Sequence, residues 1–360
     1  NKLRLKTSGE TMKIELVDGD VSRAKIRVIG VGGGGGNAVN NMIMSGMNGV
    51  DFAVVNTDAQ DIGRSLAPIR FQLGASLTRG LGAGAKPEIG KEAALEDRDR
   101  LTELVADCDM VFITAGMGGG TGTGAAPVIA QIAKDAGVLT VGVVTRPFLF
   151  EASRRRKQAE QGIKNLREAV DTLITIPNQR LVSMSDPSTT LVSAFQMADR
   201  VLLHAVRGVA DLINQQGFVN VDFADVRSVM QSKGDALMGI GIGSGTRRVV
   251  EAAQEAISSP LLEEAGIAGA TSVLINVVAG SDVLMHEIDE ASSLIAEEAH
   301  EDANVIWGWH VDESLADEAR VTVIATGFSQ QVSESNIERR VVGTVNSGYG
   351  MLQDPQNGAS

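Results

Sequence analysis

The segment GGGTGTGAAP at residues 118–127 is the most informative part of this 360-residue chain. An apolar run at 109–115 precedes it, and a helical pattern at 121–136 follows it. A glycine-rich turn between a strand and a helix lets backbone N–H groups approach an anion without obstruction by a Cβ atom. The order strand, glycine loop, helix therefore predicts an α/β fold with an anion site at the loop.

A second glycine run, GVGGGGGN at residues 30–37, has the same setting, between a predicted strand at 25–31 and a predicted helix at 37–45. It satisfies the G-x-G-x-x-G spacing of dinucleotide-binding loops, with Asp58 about 20 residues further on. The structural alternative is close packing of the helix on the strand. Two such loops in one sheet indicate a phosphate chain held from two sides, whereas a nicotinamide enzyme needs only the first. The sequence has no G-x-x-x-x-G-K-[ST] motif, which excludes an ordinary P-loop protein.

Strands and helices alternate beyond these loops, which predicts a doubly wound, mainly parallel sheet. One predicted helix covers 87–106, and a longer one covers Thr190 to Gln216 and ends before Gly217. The predicted organisation is an N-terminal extension at 1–24, a nucleotide-binding domain at 25–189, a central helix at 190–217, a smaller α+β domain at 218–328 and a disordered tail at 329–360. We expect the extension to be loose.

The composition excludes several classes of protein. The net charge is 32 − 45 = −13, and an acidic chain repels a nucleic-acid backbone. The single cysteine, Cys108, excludes an internal disulfide, and the four histidines form no zinc-binding spacing. Two runs without charge, 28–50 and 110–133, are too rich in glycine and polar residues to span a membrane. The first residues are polar and mixed, so we expect no signal peptide in the sequence.

The segment at 118–127 resembles the signature of the tubulin/FtsZ family of GTPases, and more closely its FtsZ branch than tubulin. The resemblance covers roughly residues 25–328, and several of its motifs are long. The other matching motifs, in the order of the family, are GVGGGGGNAVNNM (30–42), NTDAQ (56–60), LTRGLGAGAKPEIG (77–90), VTRPFLFE (144–151), IPN (176–178), NVDFADVRSVM (220–230), MGIGIGSG (238–245) and SSPLLE (258–263).

The resemblance implies a GTP/GDP site with these nucleotide-binding residues: Gly33, Gly34, Gly35, Gly36 and Asn37 in a first loop, Asn56 and Asp58 in a second, Ala83, Gly84 and Ala85 in a third that senses the γ-phosphate, Gly120, Thr121 and Gly122 in the signature loop, Glu151 and Arg155 at ribose and phosphate, and Asn178, Phe195 and Asp199 at guanine. It implies Mg²⁺ bound mainly through the phosphates, with no protein metal ligand assigned.

Some of these residues also have a structural interpretation. Glu151 and Arg155 are four positions apart and could form only a surface ion pair on a helix. Phe195 fits the apolar stripe of its helix, so core packing is the default interpretation from the pattern alone.

The resemblance implies that Asn220, Asp222 and Asp225 act on the nucleotide of a neighbouring subunit, so that hydrolysis requires a head-to-tail homopolymer. GTP hydrolysis needs a positioned, polarised water in line with the γ-phosphate. No obvious general base lies in the loops of the first domain. The alternative is that Asp222 caps a helix at its N-terminus.

Two departures from the family concern the backbone and the partners. The family usually has Gly and a basic residue after the glutamate of VTRPFLFE, where this chain has Ala152 and Ser153. The C-terminal peptide that docks membrane-anchoring partners is not recognisable in 329–360, so the chain is either truncated or a form without that peptide.

We therefore expect a polymerising GTPase of a division ring. The expected location is the bacterial cytoplasm, at the division site, or the plastid stroma, since the missing initial Met fits a removed transit peptide. Two alternatives stay open: an oxidoreductase built on the first glycine loop, and a structural filament subunit that binds GTP but barely hydrolyses it.

Overall fold

The structure, a computed structural model, describes residues 2–8, 11–17, 23–214, 221–231, 234–262 and 266–328. Its strands are β1 (Lys2–Ser8), β2 (Thr11–Val17), β3 (Ile26–Val31), β4 (Asp51–Asn56), β5 (Ile69–Gln72), β6 (Met110–Gly116), β7 (Leu139–Arg146), β8 (Thr172–Pro177), β9 (Gly234–Ser244), β10 (Ser272–Ala279), β11 (Asn304–Val311) and β12 (Glu318–Thr326). Its α-helices are α1 (Gly32–Met44), α2 (Ala59–Arg64), α3 (Ala75–Thr78), α4 (Pro87–Glu96), α5 (Arg98–Val105), α6 (Thr121–Asp135), α7 (Ser153–Ala169), α8 (Asn178–Ser183), α9 (Leu191–Asn214), α10 (Phe223–Met230), α11 (Arg248–Ile257) and α12 (Met285–Glu298).

Ten strands form one sheet in the order β11-β10-β12-β9-β8-β7-β6-β3-β4-β5. All the pairs from β5 to β9 in this order are parallel. Alternate residues of these strands enter two separate cores. Val28 and Phe112 pack beneath α1, α9 and α10, whereas Ile29 and Ile113 pack beneath α4, α5, α6 and α7. The predicted doubly wound, mainly parallel sheet is confirmed.

The C-terminal part adds a mixed sheet to the parallel one. β9 pairs with β8 over three residues, and it pairs antiparallel with β12. Helix α11 lies directly on β9 because Gly239, Gly241 and Gly243 have no side chain, and a Cβ at any of them would clash with a carbonyl oxygen of α11. The predicted smaller α+β part is therefore present and continuous with the first sheet. The domain limits at 189 and 217 stay predictions.

Three local expectations differ from the structure. The helix expected at 37–45 begins at Gly32, inside the glycine run. The helix expected at 87–106 is two helices, α4 and α5, because Asp97 leaves the helical conformation and accepts a hydrogen bond from the backbone N of Gly74 at 2.8 Å. The extension expected to be loose contains β1 and β2, paired antiparallel from Lys2↔Val17 to Ser8↔Thr11. The predicted tail at 329–360 lies outside the described residues.

Candidate functional site

The candidate site is built at one edge of the sheet. β3, β4, β6, β7 and β8 are parallel, so their carboxyl ends, at Val31, Asn56, Gly116, Arg146 and Pro177, meet at the same edge. Ligands of open α/β sheets bind outside these ends. The predicted residues that this topology brings to the edge are Gly33, Gly34, Gly35, Gly36, Asn37, Asn56, Gly120, Thr121, Gly122, Glu151, Arg155 and Asn178.

Two helix N-termini lie side by side at this edge. α1 begins at Gly32 and α6 at Thr121, and neither helix has a side-chain cap. A Cβ placed on Gly32 would lie 2.8 Å from the backbone N of Gly122, so the two first turns are in direct contact. Uncapped N–H groups and two converging helix dipoles form an anion site. This geometry suits a chain of phosphates.

The glycines of the first run have different tasks. Gly33 and Gly34 are exposed and present their backbone to the edge. Gly34 also lies close to β6, since its Cβ would be 3.1 Å from the N of Gly116. Gly35 is buried, and a Cβ there would clash with the carbonyl of Thr114, so its absent side chain serves packing. Gly36 has room for a methyl group, with only ordinary contact to Val54.

The signature loop is held by hydroxyl groups. The Thr121 and Thr57 hydroxyls are 2.6 Å apart in the buried interior, and Thr123 Oγ1 accepts a hydrogen bond from Gly118 N at 2.8 Å. The third predicted loop packs against it, because a Cβ on Gly120 would lie 2.8 Å from the Cβ of Ala83. Ala83 is therefore buried beside the phosphate site.

The polar side chains of the second predicted loop, after β4, form hydrogen bonds with neighbouring residues. Asp58 Oδ1 accepts hydrogen bonds from the backbone N of Gln60 and of Asp61, so it caps α2. Asn56 is buried and donates to Asp61 Oδ2 at 3.3 Å. These bonds fix the loop beside the first glycine run, where a Cβ on Gly33 would lie 3.3 Å from Asp61 Oδ2.

An aromatic cluster lies where the sequence predicts the base. The ring centroids of Phe195 and Phe148 are 5.3 Å apart, edge to face, and Phe148 stacks on Phe150 at 5.0 Å. Phe195 is 41% exposed, so it is not simply a core residue of α9. Asn178 is 4% exposed, and its Oδ1 has no hydrogen-bond partner in the described part of the chain. An unpaired buried acceptor beside aromatic rings suits a base that carries N–H donors.

Asp199 reaches the same region from α9. Asn41 of α1 donates a hydrogen bond to its Oδ2 at 2.8 Å. Burial raises the pKa of Asp199 to about 6, although the bond from Asn41 acts in the opposite direction. A carboxylate held at this depth can accept two N–H groups of a guanine ring.

Glu151 and Arg155 form the ion pair that the sequence allows, with Arg155 Nε 3.2 Å from Glu151 Oε2. The other oxygen of Glu151 accepts from the backbone N of Phe148 at 2.8 Å, which closes the turn Leu149–Glu151. Both side chains also line the pocket, so the structural and the binding interpretations are compatible. Ala152, next in the chain, has φ 73° and ψ 154°, a conformation almost confined to glycine.

One pocket joins these groups. It is lined by Gly34, Asn37, Gly116, Met117, Thr145, Pro147, Glu151, Arg155, Asn178, Phe195, Ala198, Asp199 and Leu202. A larger groove between α4, α6 and α7 contains none of the predicted base-binding or ribose-binding residues. We assign the site to the first pocket because its polar groups converge there.

The predicted aspartates lie elsewhere. Asp222 occupies the N-cap position of α10, and its backbone carbonyl accepts from Asp225 N at 3.0 Å. Its carboxylate makes no capping hydrogen bond, so the capping role expected as the alternative is absent. Both side chains are exposed, and neither has a hydrogen bond or ion pair within the described residues. Asn220 lies outside the described residues.

Sequence reasoning missed Asn41, Thr57 and Phe148 as parts of the site. Asn41 stands four positions after Asn37 on α1, a spacing that puts both on one helix face. Thr57 and Phe148 lie inside the quoted motifs NTDAQ and VTRPFLFE, but nothing in the pattern separates them from their neighbours.

Two further searches concern the described residues only. No group of three or more His, Cys, Asp or Glu side chains among them could hold a metal ion. None of the helices that the structure describes combines the length and apolarity needed to cross a membrane.

Comparisons with known proteins agree with this geometry. The profile described as "Tubulin/FtsZ family, GTPase domain" matches residues 25–186, and that of the "FtsZ family, C-terminal domain" matches residues 234–329. An empty FtsZ dimer from M. jannaschii is 44% identical, with TM-score 0.82, over 86% of this chain and 89% of that chain. A point mutant of M. jannaschii FtsZ is also 44% identical, with TM-score 0.82, over 85% and 92%. CetZ1 of Haloferax volcanii, 20% identical over 89% and 100% with TM-score 0.74, shares the fold. The chain therefore belongs to the FtsZ family and carries the family's GTPase domain.

Proposed function

We propose that this chain polymerises head to tail and hydrolyses GTP at the interface between adjacent subunits, as the filament protein of a division ring. One observation carries the proposal: the exposed aspartates and the phosphate loops lie at opposite edges of the same sheet. The assignment of the nucleotide to the pocket described above is part of the proposal.

The position of α10 follows from two hydrogen bonds. Arg227 Nη2 donates to the carbonyl of Gly137 at 3.2 Å, just before β7 begins. Thr172, the first residue of β8, donates through its hydroxyl to the carbonyl of Met230. Both contacts are at the amino ends of parallel strands. Asp222 and Asp225 thus lie at the edge opposite to the glycine loops.

The two edges are too far apart for one subunit to act alone. The central strands have six to eight residues, which corresponds to roughly 20–26 Å at 3.3 Å per residue. A carboxylate must come within hydrogen-bond reach of the attacking water, directly or through one other water. Only a second subunit, stacked on the glycine loops with its α10 edge, brings Asp222 and Asp225 to the γ-phosphate.

The chemistry divides between the two subunits. The first supplies N–H groups of α1 and α6, which stabilise negative charge on the phosphates. The second supplies carboxylates that orient and polarise a water in line with the γ-phosphate. Neither carboxylate is engaged in capping or in an ion pair within the described residues, so both are available for this task.

Mg²⁺ is expected to bind chiefly through the phosphates. The oxygen donors beside the first glycine run and the signature loop, Asp61 and the Thr121 hydroxyl, fit a hard cation that retains several waters. When bound, Mg²⁺ neutralises charge on the phosphate oxygens.

Self-association is supported by a relative. One similar structure of M. jannaschii FtsZ, at 44% identity, is a dimer. We extend this to a filament at the division site, in the cytoplasm or the plastid stroma. Membrane-anchoring proteins are candidate partners there, although the peptide that would dock them is not recognisable in 329–360.

Mixing two inactive variants tests the shared site. Asp225→Ala should bind GTP and assemble but hydrolyse almost none, because every neighbour meets a defective α10 edge. Thr121→Trp should lose nucleotide binding but keep its aspartates. A mixture creates interfaces between an intact pocket and an intact α10 edge, so GTPase activity should reappear and rise more than linearly with concentration.

Asp289→Ala, which removes an exposed aspartate of α12, is the matched control and should keep its activity. Sedimentation with GTP, with GDP and without nucleotide measures assembly. A mixture that co-assembles but stays inactive would show that the aspartates act within their own subunit or not at all. Equal pelleting under all three conditions would overturn the filament proposal, and retention of NAD on purification would favour an oxidoreductase.

A further inference from the structure

The loop at residues 82–86 has a backbone conformation that needs external support. Gly84 and Ala85 both have φ of 57°, so two consecutive residues are left-handed. Glycine adopts this conformation freely, but alanine does so rarely. Ala85 therefore opposes the conformation in which the loop is found.

Two backbone hydrogen bonds are donated by residues of this loop. Lys86 N donates to the carbonyl of Ala83 at 3.1 Å, and Gly82 N donates to Thr57 at 3.2 Å. A Cβ on Gly84 would meet nothing within 4 Å, so this side of the loop is open. The opposite side packs against the signature loop at Gly120.

Helix α7 supplies a further hydrogen bond to the loop. Gln158 Nε2 donates a hydrogen bond to the carbonyl oxygen of Ala85 at 3.2 Å. Gln158 lies three residues after Arg155, whose own carbonyl packs on the signature loop, since a Cβ on Gly118 would lie 2.6 Å from it. One helix thus contacts the 82–86 loop, the signature loop and, through Arg155, the pocket.

We propose that Gln158 is a positioning residue that holds the 82–86 loop ready for the terminal phosphate of GTP, and thereby sets the preference for GTP over GDP. The inference rests on the proposed nucleotide site. Only GTP carries a γ-phosphate for this loop. With the hydrogen bond in place, GTP binds a preorganised loop. Without it, part of the binding free energy of GTP is used to order the loop, whereas the binding of GDP is unaffected.

The test measures affinities for GTPγS and GDP separately, by fluorescence titration at protein concentrations below assembly. Gln158→Met keeps the length of the side chain but removes the donor. We expect its GTPγS affinity to fall about two- to tenfold, the worth of one hydrogen bond, while its GDP affinity stays unchanged. Gln158→Lys restores a donor and should recover most of the GTPγS affinity.

Gln161→Met is the matched control on the same helix, because the Gln161 side chain donates to Asn165 Oδ1 at 3.0 Å, within α7, and to no other group in the described part of the chain. It should leave both affinities unchanged. An equal loss of GTPγS and GDP affinity in Gln158→Met would indicate a merely structural residue and overturn the inference. Unchanged affinities for both nucleotides would overturn it as well. A wild-type protein that binds neither nucleotide would instead refute the proposed function, and this inference with it. Thermal unfolding of each variant verifies that it is folded.

Discussion

Replacing Ala152 by Gly should stabilise the protein, against the usual direction of that substitution. Ala152 has φ 73° and ψ 154°, in a region that costs a non-glycine residue about 1–3 kcal/mol. Glycine removes this strain, but it also loses about 0.5–1 kcal/mol through its greater freedom in the unfolded chain. The middle values of these two ranges give a net stabilisation of roughly 1.2 kcal/mol.

Urea unfolding followed by circular dichroism measures the effect. With a denaturant dependence of about 2–3 kcal/mol/M, the midpoint of Ala152→Gly should rise by roughly 0.4–0.6 M. The matched control is Ala136→Gly, because Ala136 is exposed and has φ of −77°, which any residue adopts. That variant should be destabilised by up to about 1 kcal/mol.

The two variants distinguish strain from a general glycine effect. If Ala152→Gly lowers the midpoint as Ala136→Gly does, then the backbone at residue 152 is relaxed and the reasoning is wrong. The expected result would also explain the glycine that the family usually has here: this chain keeps the turn beside Glu151 at a cost in stability.

Four further predictions concern the site and its support. The pKa of Asp199 is about 6 in the folded protein, against an ordinary value of about 3.9. Its protonation therefore stabilises the nucleotide-free fold fully below pH 4, and this contribution is lost as the pH rises through 6. Asp199→Asn should abolish this dependence of the unfolding free energy on pH, as measured by urea titrations. Since guanine needs the carboxylate as acceptor, GTP affinity should fall below pH 6 in the wild type, as calorimetry can measure. Thr121→Trp should abolish GTP binding in a filter assay, because the indole obstructs the signature loop; undiminished affinity would reduce that loop to a packing turn. Gly124→Ala should destabilise the fold by about 1–3 kcal/mol, since its Cβ would clash with the carbonyl of Pro87 and force α4 from α6; an unchanged unfolding midpoint would contradict this.

The parallel sheet and the edge that carries the site could be predicted from the sequence, because both depend on local patterns. Strand, glycine loop and helix recur along the chain, and parallel strands bring their carboxyl ends together. The break at Asp97 could not be predicted, since it depends on a hydrogen bond to Gly74, 23 residues away. Two hydrogen bonds between residues far apart in the sequence could not be predicted either: the bond from Asn41 to Asp199 and the bond from Gln158 to the carbonyl of Ala85.

The proposed role of Asp222 and Asp225 could not be separated from helix capping by the sequence alone. The position of Asp222 at a helix start predicts a capping residue. In the structure its carboxylate makes no capping hydrogen bond, and α10 lies at the edge of the sheet opposite to the glycine loops.

The 24-residue helix α9 has a consequence for the proposed filament. Its full length, Leu191–Asn214, is about 36 Å, and the stretch from Phe195 beside the pocket to Asn214 spans about 30 Å. Asn214 bonds to the carbonyl of Gly49 before β4 begins. This helix separates the two proposed half-sites of one subunit. If hydrolysis takes place at the interface as proposed, a stack of n subunits contains n − 1 complete hydrolytic sites. The pocket at one end of such a stack has no neighbour to complete it, so we expect that end to keep its GTP after the other subunits have hydrolysed theirs.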